Sequence, residues 1–151
     1  MGVKSEETKA APKNIIDMLL GADAGRIKLP TKEFEIKRLS EQFGAPFNVT
    51  LEAVPQGKWE DLQELCISMT SRGVNVDTSL LQSLVVIEST YEDEEAKKPL
   101  FKNQSLMDHF GVTTPKNLLK KLLLSGEITG MYNAISELSG FGEDALEEVK
   151  N

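Results

Sequence analysis

Thr114-Pro115-Lys116-Asn117-Leu118-Leu119-Lys120-Lys121-Leu122-Leu123-Leu124-Ser125-Gly126-Glu127-Ile128-Thr129-Gly130-Met131-Tyr132-Asn133-Ala134-Ile135-Ser136-Glu137-Leu138-Ser139-Gly140-Phe141-Gly142 is the stretch that decides the fold. Thr114 can cap a helix whose first residue is Pro115, because proline's fixed φ suits that position and its missing donor would be unpaired there anyway. Ser125 is a second candidate cap. Ile128, Met131, Tyr132, Ile135 and Leu138 recur at steps of three and four, so they share one helical stripe. Gly140 can take the left-handed conformation that ends a helix, and Gly142 before Glu143 and Asp144 predicts a third helix starting with acid at its positive pole. The spacing predicts a helical hairpin with a helical tail, and it contains no catalytic pattern.

Upstream of that hairpin the punctuation marks shorter elements. Ser105 with Asp108 resembles a capping box, and Gly111 closes a helix over Leu106–Phe110. Tyr91 to Pro99 is charged and ends in a breaker, the pattern of a mobile surface connection. Asp77 is a good cap for a mostly buried helix containing Leu80, Leu81, Leu84, Val85 and Ile87. Trp59, Leu62, Leu65, Cys66 and Met69 fit a helix running from about Gly57 to Ser71 and stopped by Gly73. The period changes to two in Thr31–Leu39 around Phe34 and Ile36, and again in Phe47–Ala53, which predicts a β-hairpin joined through a longish loop holding Gly44 and Pro46. Asn14 can cap a short helix with Ile15, Ile16, Met18, Leu19 and Leu20, ended by Gly21, which is too short to stand alone and must dock on something. Met1 to Lys13 is almost free of apolar residues and is expected to be a disordered tail.

The fold class expected is mainly α within α+β: one small helical domain over 14–151, with an N-terminal β-hairpin at about 31–54 covered by helices at about 57–149. The length of 151 residues suits one core. The hydrophobic fraction of 40% and charged fraction of 27% are those of a soluble globular chain. The longest apolar runs fall far short of the ~20 residues that span a bilayer, and no secretory signal is expected. A formal charge of −7 disfavours a protein whose task is to wrap nucleic acid and favours a basic partner.

Cys66 and His109 are each the only residue of their type, so no intrachain disulfide, thiolate cage or two-histidine metal pair can form. Cys66 reads as a small core residue and His109 as a helix-end residue favoured by the dipole. Glu92–Glu95 lacks the glycine and final glutamate of a calcium loop, and Gly140-Phe141-Gly142 is followed by acid where a phosphate loop needs lysine and a hydroxyl. Leu106–Leu124 has the shape of a helix-turn-helix. Its three lysines, with no arginine to read guanine, make a DNA-binding regulator only the alternative reading.

The order of segments, a short N-terminal helix, Pro30–Leu39, Gly44–Phe47 and Pro115–Ile128 running into Tyr132–Asp144, resembles the XkdN-like family of phage tail assembly chaperones over about Ile15 to Asn151. The resemblance implies a non-enzymatic protein of a long-tailed phage, prophage or phage-like particle, working in the cytoplasm of the bacterial host. It would bind the tape-measure protein, with the tail tube protein as a second partner, keep the tape-measure protein soluble while the tube assembles, and be absent from the mature tail. No cofactor, nucleic acid or membrane is implied; a structural tail component retained in the particle is a further alternative. The family supplies no catalytic motif to carry over, so the candidate contact residues come from the surfaces: Ile15, Ile16, Met18, Leu19 and Leu20 on the first helix, then Leu118, Leu122, Met131, Tyr132 and Phe141. Leu118, Leu122 and Tyr132 fit a core at least as well.

Overall fold

A three-stranded antiparallel sheet, with Asn48–Glu52 between Thr31–Glu35 and Thr90–Tyr91, is covered by helices packed from the C-terminal half of the chain. The structure is a computed structural model that describes residues 14–22 and 27–150, so the expected tail at residues 1–13 lies outside the described residues. The elements in order are α1 (Ile15–Leu20), β1 (Thr31–Glu35), α2 (Lys37–Phe43), β2 (Asn48–Glu52), α3 (Gln56–Glu64), β3 (Ile67–Thr70), β4 (Gly73–Val76), α4 (Thr78–Ser89), β5 (Thr90–Tyr91), α5 (Gln104–Phe110), α6 (Pro115–Leu122) and α7 (Ser125–Ser136). A 3-10 turn, Leu100–Lys102, precedes α5, and a wide final turn, Glu137–Phe141, extends α7.

The expected N-terminal hairpin is present, with Thr31 opposite Glu52 and Phe34 opposite Val49. Its first strand is shorter than the alternation through Leu39 suggests. The chain turns at Ile36, whose N–H donates to Phe47 O at 3.0 Å, and α2 fills the loop. Ile36, Leu39 and Phe43 have helical spacing: Ile36 and Leu39 join the core, and Gly44 at φ +70° closes the helix. β2 is the central strand, and Val49, Thr50, Leu51 and Glu52 are all buried.

A second departure follows α3. The sequence pattern continues this helix to about Ser71, yet it ends at Glu64 and the chain forms a separate antiparallel hairpin, β3–β4, pairing Ile67 with Val76 and Met69 with Val74. Leu65 and Met69, which a continued helix would have placed on the buried stripe, are exposed. Asp77 N–H donates to Cys66 O at 2.8 Å and seals the hairpin's base. Cys66 itself is buried as expected. Its thiol donates to Leu62 O, and burial pushes its pKa up, so it is a packed, poorly ionised thiol.

Asp77 caps α4 through its side chain to Leu80 N–H, and Val85 and Val86 are fully buried. α4 packs on α6 and α7, and one cluster of mutually packed residues runs from Ile36 to Ile135. Thr114 caps α6 as expected, through Asn117 N–H at 3.2 Å. Two caps differ from the expectation. Asn103, one position before α5, supplies the acceptor for Leu106 N–H in place of Ser105, and Leu124 precedes α7, its N–H held by Glu127 Oε1 at 2.8 Å, in place of Ser125. Gly140, at φ +96°, ends the helical run. The helix expected at residues 143–149 does not form. Leu146 and Val149 are 90% and 81% exposed, and a segment this short with no buried face cannot offset the cost of nucleation.

The acidic connection is exposed over 92–98 as expected, but it is strapped to the sheet. Lys97 forms an ion pair with the buried Glu52, Thr31 donates to Glu94, and Tyr91 pairs with Thr50. Burial, reinforced by the neighbouring Glu52 and Glu88 carboxylates, pushes the Tyr91 phenol up to about 12. Arg38 ties α2 to the α6–α7 corner. Its guanidinium donates to both Glu127 oxygens, at 2.8 and 2.9 Å, and to Leu122 O at 2.8 Å, and the Arg38 hydrogen bonds hold the Glu127 carboxyl below its usual range.

Candidate apolar contact surfaces

α1 presents Ile15, Ile16, Met18, Leu19 and Leu20 at 57–78% exposure, and Asn14 caps it through Asp17 N–H at 2.9 Å. Six residues with every large apolar side chain exposed form a helix that no other described element covers. The other expected contact residues divide. Leu118 is fully buried and Met131 is 7% exposed, so both belong to the core and cannot meet a partner in this conformation. Their burial follows from the same stripe that placed them on a helix: α6 and α7 turn those faces onto α4 and the sheet. Leu122 and Tyr132 are half-buried, and Phe141 is 66% exposed.

Leu122 opens into an apolar cavity of about 250 Å³ between α2, α5 and α6, whose aromatic wall is Phe43, Phe47, Phe101 and Phe110. No polar side chain lines it, and Phe43 stands exposed at its rim, stacked on Phe47 with centroids 6.1 Å apart. Such a cavity takes an aliphatic or aromatic anchor and gives it no hydrogen bond.

Tyr132 and Phe141 flank Trp59, at centroid distances of 6.1 and 5.0 Å. Trp59 and Phe141 line a larger groove, about 600 Å³, between the end of β2, the start of α3 and the turn after α7. The groove's floor is fixed by Ser139. Its Oγ accepts Val54 N–H at 2.8 Å and donates to Ile135 O at 2.7 Å.

The β3–β4 hairpin is a surface that the sequence reading missed. Direct cross-strand pairing puts Ile67, Met69, Val74 and Val76 on one face, and all four are exposed, at 45–78%. The signal was present in the alternation Ile67-Ser68-Met69-Thr70 and Gly73-Val74-Asn75-Val76 around a two-residue turn. It was masked because Leu62, Leu65, Cys66 and Met69 also fit a helical step.

Among the described residues, no group of three or more His, Cys, Asp or Glu side chains could hold a metal ion. No described helix is long and apolar enough to cross a membrane. The described surfaces offer apolar contact. The profile of the phage XkdN-like tail assembly chaperone proteins matches residues 16–151. The chain belongs to this family. Membership in a chaperone family suggests a non-enzymatic role in building a phage tail, with tail proteins as partners. No curated protein sequence matches significantly. A crystal structure of the protein YqbN is similar, with a TM-score of 0.59 and 20% identity, covering 80% of this chain and 93% of that one. At that identity the likeness concerns the fold alone, an arrangement this tail assembly chaperone shares.

Proposed function

We propose that this chaperone binds the tape-measure protein of its phage in the host cytoplasm, keeps it soluble while tail tube subunits polymerise around it, and leaves before the tail is complete. Residues 14–151 act as one domain in this reading, with no catalytic step. The observation that carries it is the pairing of family membership with uncovered apolar surface: α1, the β3–β4 face and Phe141 are exposed. A long helical protein awaiting its tube exposes apolar stripes, and a small acidic partner with apolar faces supplies both cover and solubility. Co-expression tests this directly. The tape-measure protein should move into the soluble fraction and co-purify with the chain, and an equally insoluble tape-measure protein with and without the chain would remove the proposal. Mass spectrometry of purified tails should find the chain absent or far below one copy per subunit.

A further inference from the structure

The Trp59–Phe141 groove combines an aromatic wall with a rim of one sign. Among the described residues, Glu137 and Asp144 line it and no lysine or arginine does. Glu143, Glu147 and Glu148, all exposed, continue the acid beyond its edge, and Lys150 is the one cation between Glu137 and Lys150. Lys58, next to Trp59 in sequence, is turned toward Glu88 at 3.5 Å and does not offset the rim. Phe141, 66% exposed, shares the lining with these acids, its ring 5.0 Å from that of Trp59, and Gly140 turns the chain just before it at φ +96°. We propose that this groove is the docking site for a cationic amphipathic helix of the partner. Aliphatic side chains enter against Trp59 and Phe141, and lysine or arginine side chains from the same helix reach Glu137 and Asp144 and stack on the exposed Phe141 ring.

The charge pattern selects among occupants. A second copy of this chain carries a formal charge of −7 and its lysine-bearing α6 turns Leu118 and Leu119 into its own core, while α1 carries Asp17 as its only charge, so neither offers the free apolar face and the cations together that this rim asks for. The inference rests on the chaperone reading and adds the chemistry of the recognised segment: apolar on one face, basic on the other. It also predicts a division of labour, since the cavity between α2, α5 and α6 has no charged lining and cannot select by charge.

Trp59 is the only tryptophan, so its emission reports on this groove. The probe is a tryptophan-free synthetic helix of roughly 18 residues with a leucine stripe and lysines opposite, a length at which an isolated helix becomes stable. The comparators are the same stripe with glutamates and a scrambled leucine/lysine peptide. The leucine/lysine helix should shift Trp59 emission and bind at least about tenfold more weakly at high salt. Phe141→Ala, at an exposed position, should weaken it about tenfold, and Glu137→Lys with Asp144→Lys should transfer the preference to the glutamate helix. The inference is overturned if the scrambled or glutamate peptide binds wild type equally well, if binding ignores both variants, or if sedimentation shows a second copy filling the groove. Co-expression separates the two levels. A tape-measure protein solubilised equally by wild type and Phe141→Ala sinks the groove assignment and leaves the chaperone reading standing; groove binding by the peptide with no solubilisation does the reverse.

Discussion

The α4–α6–α7 packing and the β3–β4 hairpin use the same kinds of residue to opposite ends. Val85, Val86, Leu118, Leu119 and Ile135 are fully buried where three helices meet, while Ile67, Met69, Val74 and Val76 stand exposed on a two-stranded ribbon. Burying an aliphatic side chain contributes about 1.5–3 kcal/mol, so the first group holds the fold. A two-stranded hairpin is marginal on its own, and this one leaves that stabilisation unrealised until something covers it. The difference separates residues kept for stability from residues available for contact, a separation the apolar pattern alone does not make.

The largest effect expected from breaking this contrast is in the helical core. Leu118→Ala should cost about 2–5 kcal/mol, because it opens a cavity where α6 meets α4, and a urea titration should show the lower midpoint. Gly140→Ala comes next. The left-handed φ strains any Cβ, so a loss of about 1–3 kcal/mol is expected, read as a lower Tm. Thr114→Ala removes the α6 cap and should cost about 1 kcal/mol.

Glu127 gives a pH test of the corner that supports this core. Hydrogen bonds from Arg38 outweigh the upward pull of burial, so the folded carboxyl titrates below its unfolded value of about 4.3. Its stabilisation is present above that pH and is lost as pH falls through the folded value. The Tm gap between wild type and Glu127→Gln should therefore be open at neutral pH and close under acid. The smallest effect belongs to the ribbon. Met69→Ser with Val74→Ser should change stability by less than about 0.5 kcal/mol per site, because both side chains are already in water.

The sequence was most legible where caps and period agree. Thr114 and Pro115, Asp77 before α4, Asn14 before α1 and the alternation around Phe34 each give one reading at two levels, and the structure follows them. It was least legible where two periods coincide. Met69 fits a helical stripe and a strand alternation equally, and tertiary closure of Asp77 on Cys66 decides for the strand. The final segment failed for a different reason: Leu146 and Val149 are spaced for a helix, yet nothing among the described residues covers them. Among the candidate contact residues, the exposure of Phe141 follows from its place beyond Gly140, and the burial of Leu118 follows the core reading its stripe already allowed. The burial of Met131 was not legible, since it depends on which face α4 and the sheet occupy, a property of the assembled fold.

The division between core and contact surface is tested most directly by one paired measurement: the melting temperature of Met69→Ser/Val74→Ser/Phe141→Ala, and the soluble fraction of co-expressed tape-measure protein with that variant. The account predicts a melting temperature within a few degrees of wild type and a tape-measure protein left largely insoluble. A variant that melts like wild type and still solubilises the tape-measure protein fully would contradict it.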